Sequence, residues 1–154
     1  PRGVGVPPKP AQSLPGPNRI RDIALTVEAF VTSKTPVGTL RAPGRFEANF
    51  FRERLLDIVA GDLGLDPMEF RRNNLIKEAE LPFHTGKLVP YEPETDFDTG
   101  DYHVTFERAV AEIGWDKNKS LQGRLIDGRY HGFAAVPLCE SGGPGKENCA
   151  AGVR

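Results

Sequence analysis

The 154-residue chain is poor in the residues that most often announce a chemistry. It holds only two cysteines, Cys139 and Cys149, which form neither a CxxC pair nor a metal-ligand array. That argues against a disulfide framework and against a zinc site, and both are read as reduced thiols. The three histidines, His84, His103 and His131, lie on separate stretches, without HExxH spacing and without a Cys or Ser arranged as a dyad. They read as ordinary surface or core residues, and no residue is assigned as a metal ligand. Charge of one sign is also missing: 20 Lys+Arg against 21 Asp+Glu leave a net charge of -1. This excludes the basic footprint of a nucleic-acid binder or a polybasic membrane patch. No apolar run approaches the roughly 18 residues of a membrane span. The start, Pro1-Arg2-Gly3-Val4-Gly5-Val6, lacks the charged-then-apolar layout of a secretion signal. A soluble, cytoplasmic protein is expected.

What is present is a normal globular balance, 38% hydrophobic and 27% charged, fitting one ordinary domain. Residues 1–18 carry Pro1, Pro7, Pro8, Pro10, Pro15 and Pro17, which predicts an extended covering segment. In residues 20–31 Ile23, Leu25, Val27, Ala29 and Val31 alternate with Asp22, Ala24, Thr26, Glu28 and Phe30, the period of a half-buried strand. A Pro- and Gly-rich loop, 32–45, follows. Phe51, Leu55, Ile58, Val59 and Leu63 then recur at helical spacing over 46–63, with Gly64 as the stop and Arg52, Glu53 and Asp57 on the exposed face.

A second helix opens at Asp66, with Pro67 at its first position, Glu69 completing a capping box and Leu65 stapling onto Phe70. Residues 77–101 are polar and turn-rich. A third helix, capped by Asp101, sets Tyr102, Phe106, Ala109, Val110 and Ile113 on one face and ends at Gly114. The small apolar residues 132–138 suit a buried strand despite Pro137. The expectation is an α+β fold, strands flanking a three-helix segment, with no internal repeat.

Few of these residues suggest chemistry. Gly142-Gly143-Pro144-Gly145 lacks both common phosphate-loop patterns and reads as a turn. Glu92, Glu94, Asp96 and Asp98 are interrupted by Pro93 and read as a solvated loop. Arg71 and Arg72, near a helix end, suit the helix dipole better than a phosphate. The loop around Arg41 is different. Arg41 and Arg45 flank a rigid Ala42-Pro43-Gly44 turn ahead of a helix N-terminus, a reasonable anion-binding arrangement. A plain strand-to-helix connection explains the same residues equally well.

Residues 32–49, Thr32-Ser33-Lys34-Thr35-Pro36-Val37-Gly38-Thr39-Leu40-Arg41-Ala42-Pro43-Gly44-Arg45-Phe46-Glu47-Ala48-Asn49, resemble the TNKTPxGxYRxPGRxEAxF signature of molybdenum hydroxylase large subunits. Residues 66–76 are similar to that family's DPxEFRRxNLI, residues 98–102 to its DSGDY, and residues 132–154 to a strand ending in its ESGGxGxxE segment. The resemblance, to the xanthine dehydrogenase/aldehyde oxidase family and within it to carbon monoxide dehydrogenase-like large subunits, covers nearly the whole chain.

The resemblance implies hydroxylation of an aldehyde or N-heterocycle with water as oxygen source. It implies a molybdenum-molybdopterin cofactor, the cytosine dinucleotide or a related form, with electrons leaving through iron–sulfur clusters and FAD on partner subunits. It sets Leu40, Arg41, Ala42 and Pro43 beside the molybdenum and the small-molecule substrate, with Arg41 stabilising developing negative charge. Where true carbon monoxide dehydrogenases have a copper-holding cysteine, this chain has Ala42, and soft copper ligation needs that sulfur. The family's catalytic glutamate sits in a GxGE context absent here, and neither Glu140 nor Glu147 is that residue.

Pro1 at the start and Ala150-Ala151-Gly152-Val153-Arg154 at the finish give the expectation that 1–154 is part of a molybdopterin-binding domain truncated at both ends, inactive alone and partnered by the remainder of the large subunit. The competing reading is a non-catalytic structural or assembly module on the same scaffold.

Overall fold

The computed structural model describes residues 6–36, 38, 40–90 and 96–139. Five α-helices are found among them: α1 (Pro8–Ser13), α2 (Arg45–Asp62), α3 (Pro67–Asn74), α4 (Tyr102–Glu112) and α5 (Trp115–Asn118). Two antiparallel two-stranded ladders join β1 (Phe83–His84) to β2 (Asp96–Phe97) and β3 (Leu125–Ile126) to β4 (Arg129–Tyr130). The chain is therefore mixed helix and strand, as expected, but α1 and α5 extend the three-helix segment.

The long helices begin and end where local chemistry dictates. At the end of α2, Gly64 takes φ 67°. Its N–H donates to Gly61 O (3.1 Å) while Leu65 N–H donates to Ala60 O (2.8 Å), a pair of bonds that satisfies the last carbonyls of the helix. The Asp66 carboxylate accepts from Met68 N–H (2.8 Å) and Glu69 N–H (3.3 Å), capping α3, whose first residue is Pro67. Asp101 accepts from Val104 N–H at 2.9 Å and opens α4 in the same way.

The core gathers Met68 and Leu75 near α3, Phe106 and Val110 of α4, Trp115 of α5, and Ala135. Tyr102, Ile113 and Phe133 pack around it, whereas Ala109, expected on the inner face of α4, is exposed. A second contact seats α1 on α2, where Ala11 and Ala48 are buried. Asn18 bridges antiparallel to Leu75, with Arg19 N–H on Asn74 O (2.8 Å) and Ile76 N–H on Pro17 O (3.0 Å).

Several expectations need correction. The proline-rich start is not extended throughout, because Pro8 and Pro10 fall in the first turn of α1, where backbone donors have no intrahelical partner to lose. Residues 20–31 form no strand. Among the described residues no backbone hydrogen bond involves residues 21–31, and Phe30 and Val31 are exposed; alternation prescribes a face, but a strand also needs a neighbour to pair with. Residues 132–138 likewise form no strand, although alternate residues 133, 135 and 137 turn inward and 132, 134, 136 and 138 outward. Instead a hairpin, β3–β4, turns at Asp127-Gly128, where both residues have positive φ (49° and 76°).

The largest inversion is on α2. Arg52 and Glu53, expected outside, are each only 5% exposed, whereas Phe50, Phe51 and Leu55 are 67%, 57% and 59% exposed. The charged side is tolerated inside because every charge there is paired. Among the described residues nothing covers the apolar side.

Candidate functional site

The loop that leads into α2 presents Leu40 and Arg41 to solvent. Arg41 makes no hydrogen bond or ion pair with the described residues. The turn behind it is held from two sides. Arg45 N–H donates to Ala42 O at 3.2 Å, and Ala42 takes φ 57°, a conformation that L residues rarely adopt. Gly44, at φ 83°, is the N-cap of α2, and its carbonyl accepts from Ala48 N–H at 2.9 Å. A Cβ at Gly44 would lie 2.5 Å from the backbone carbon of Lys9 and 2.5 Å from the nitrogen of Pro10. Only glycine permits that approach of α1.

The two arginines that flank the turn are therefore not equivalent. Arg41 is exposed and unpaired among the described residues, whereas Arg45 is half-buried and engaged with a partner. Glu47, on the first turn of α2, has a buried Oε2 without a hydrogen-bond partner among the described residues. Sequence reading passed over Glu47, although it lies within the same motif.

An ionic cluster on α2 joins three elements, α1, α2 and α3. Glu53 accepts from Arg52 Nε at 2.8 Å and from Arg71 Nε at 2.7 Å. Arg71, fully buried, also reaches Asp57 (2.8 Å), Glu53 O (3.0 Å) and Pro67 O (3.2 Å). Arg52 donates to Ser13 O (3.3 Å), Leu14 O (3.2 Å), Pro137 O (3.1 Å) and the Asn49 side chain. One guanidinium thus ties the end of α1 and the 133–139 segment to α2. No spacing rule finds this cluster, since Glu53 and Arg71 are brought together only when α3 folds back on α2.

The remaining candidates stay apart from the loop. Arg72 lies on the surface, paired with Glu69 and with Glu107 (3.0 Å), and Glu107 is held below the ordinary carboxylate range chiefly by that arginine. His84 meets Asp96 at 3.0 Å across the β1–β2 ladder in solvent. Burial, with the neighbouring Cys139 and Asp98, pushes the Tyr102 phenol up to about 12. Burial also raises the Cys139 thiol above its ordinary value. Glu92, Glu94, Glu140, Gly142 to Gly145, Glu147 and Cys149 lie outside the described residues. Among the described residues no three His, Cys, Asp or Glu side chains converge as a metal site, and no helix is long and apolar enough to cross a membrane.

Comparison with known proteins fits this arrangement into a wider set. Residues 1–75 match the family described as molybdopterin cofactor-binding domain. The chain is 38% identical over 131 residues, 84% of its length, to the 6-hydroxypseudooxynicotine dehydrogenase complex subunit gamma of Paenarthrobacter nicotinovorans, and spans 16% of that protein. It is 29% identical over 92 residues, 58% of its length, to the carbon monoxide dehydrogenase large chain of Hydrogenophaga pseudoflava, spanning 11% of it. Against the nicotine 6-hydroxylase large subunit of Paenarthrobacter nicotinovorans the figures are 35% over 65 residues, 42% of this chain and 8% of that one. The chain therefore spans well under a quarter of the length of these relatives.

Proposed function

The chain belongs to the molybdopterin-binding xanthine dehydrogenase family, and from that premise we propose that residues 1–154 form part of a molybdopterin-binding domain in a cytoplasmic hydroxylase. In this reading Leu40, Arg41, Ala42 and Pro43 form one wall of the site where an aldehyde or N-heterocycle is oxidised. The observation that carries it is Arg41, a guanidinium without a partner among the described residues, on a turn backed by α1.

The residues present fit an anionic group bearing N–H donors. Arg41 offers a planar fork to an anion, and Glu47 Oε2, buried and without a partner among the described residues, leaves an acceptor unused. When bound, the cofactor supplies two-electron oxidation of a C–H bond, in the cytosine dinucleotide form with water as oxygen source. This chain's own residues bind and orient. The Arg41 guanidinium stabilises negative charge as it develops on the substrate, without reorganising at that moment. Leu40 gives an apolar contact, and the rigid Ala42-Pro43 turn fixes where the guanidinium points. Iron–sulfur and FAD subunits then take the electrons.

Among substrates, an N-heterocycle or aldehyde suits the loop better than carbon monoxide, because Ala42 offers no sulfur to copper. The test is Arg41→Ala and Arg41→Lys in the complete gene product. Molybdenum per chain is measured beside turnover of nicotine, as a trial N-heterocycle, and of an aromatic aldehyde. Full loading with turnover reduced roughly 10²–10³-fold in Arg41→Ala supports the assignment. Full loading with unchanged turnover overturns it, and loss of molybdenum moves Arg41 to cofactor retention.

A further inference from the structure

We infer that Arg52, an almost fully buried residue of α2, is the positioning residue that sets where Arg41 stands; this rests on the role proposed for Arg41. The mechanical link is α1. Its last turn is held by the Arg52 guanidinium through Ser13 O and Leu14 O, at 3.3 and 3.2 Å. Its first turn bears on Gly44, where the Lys9 and Pro10 backbone occupies the space of a Cβ. The six residues of α1 span only about 9 Å, so a shift at one end is felt at the other. Gly44 stands three positions after Arg41 and is joined to it through Pro43 and Ala42; Ala42 has a φ of 57°, and its carbonyl accepts from the Arg45 N–H. A turn held in so unfavourable a conformation relaxes when its backing moves.

The guanidinium is suited to this task because its five donors lie in one plane and serve several acceptors at once. It spends them on Glu53 Oε1, Ser13 O, Leu14 O, Asn49 and Pro137 O. Gly16 makes room for it: a Cβ there would overlap the guanidinium itself. An ammonium keeps the charge opposite Glu53 but cannot hold α1, α2 and the 137 carbonyl in fixed directions together.

The test uses Arg52→Lys in the complete gene product, with Asn49→Ala as a milder variant that loosens the same guanidinium if Arg52→Lys fails to fold. Hydrogen–deuterium exchange by mass spectrometry reads peptides covering 8–14 and 40–46. Molybdenum per chain and turnover of nicotine or an aromatic aldehyde are read in parallel. Faster exchange in both peptides is expected, with α3 and α4 unchanged. At equal molybdenum loading, turnover is expected to fall about 10- to 100-fold, the scale set by displacing a reacting geometry by an ångström or so. In an Arg41→Ala background the same substitution is expected to add nothing, because it acts only through Arg41. Unchanged exchange over 40–46, or a loss of turnover that multiplies with that of Arg41→Ala, overturns the inference. If Arg41→Ala alone is silent, it is the role of Arg41 that fails.

Discussion

Trp115 aims its indole N–H at the carboxylate of Asp66, 3.0 Å from Oδ2 and 3.1 Å from Oδ1, so the residue that caps α3 also anchors α5. Lys119 joins from the same side, 3.3 Å from Oδ2. Two helices far apart in sequence are thereby fixed through one side chain, and the core residues Met68 and Trp115 are brought into one cluster.

Burial pushes the Asp66 carboxyl up, but the bonds from Trp115, Glu69, Met68 and Lys119 outweigh it and hold it below its ordinary value of 3.8. Its contribution to stability is therefore present above the unfolded value and is lost as pH falls through the lowered folded one. Asp66→Ala is expected to cost about 1–2 kcal/mol at neutral pH. The difference between wild type and variant should shrink as melts are taken down through about pH 4 towards pH 2. A difference that stays constant over this range would show that the charge of Asp66 plays no part.

The buried cluster and the surface pair should respond very differently to loss of one partner. Glu53→Ala leaves Arg52 and Arg71 buried without their shared carboxylate and is expected to cost about 3–5 kcal/mol. Glu107→Gln removes one of the two carboxylate partners of the surface residue Arg72 and should cost less than about 1 kcal/mol. Urea denaturation of both variants decides this. Equal losses would mean that the Glu53 cluster is solvated in solution.

The apolar side of α2 gives a prediction in the opposite direction. Replacing Phe50, Phe51 and Leu55 together by Gln in the 154-residue chain should move stability by no more than about 0.5 kcal/mol per site, as for surface positions. Binding of a fluorescent apolar dye and self-association should both fall. If the chain loses most of its stability instead, this face is packed rather than bare.

Arg41→Ala in the 154-residue chain should leave the unfolding midpoint nearly unchanged, within about 0.5 kcal/mol, because the side chain has no described partner. A large destabilisation, measured by thermal melting, would assign Arg41 to holding the loop rather than to binding.

Much of the local structure was readable from the sequence because it rests on local rules. Asp66-Pro67, Asp101 and Gly64 set helix boundaries through bonds to backbone groups within a few residues. The Asp127-Gly128 hairpin was legible by the same kind of rule, two residues that accept positive φ, and was overlooked. The Arg41 loop was singled out by its residue types and by its resemblance to a known signature, but not its inequality, with Arg41 free of described partners and Arg45 engaged.

Tertiary structure alone decided which side of α2 faces inward. Helical periodicity records that Phe51, Leu55 and Ile58 share a side, and hydrophobicity then assigns that side to the interior. The assignment fails because Arg52 and Glu53 are completed by Arg71, by the carbonyls of Ser13, Leu14 and Pro137, and by Asn49. Most of these partners are distant in sequence, and a buried charge is stable only when such partners are in place. The same reason governs residues 20–31: their alternation is written in the chain, but a strand exists only where another strand receives its hydrogen bonds, and none of the described residues does so.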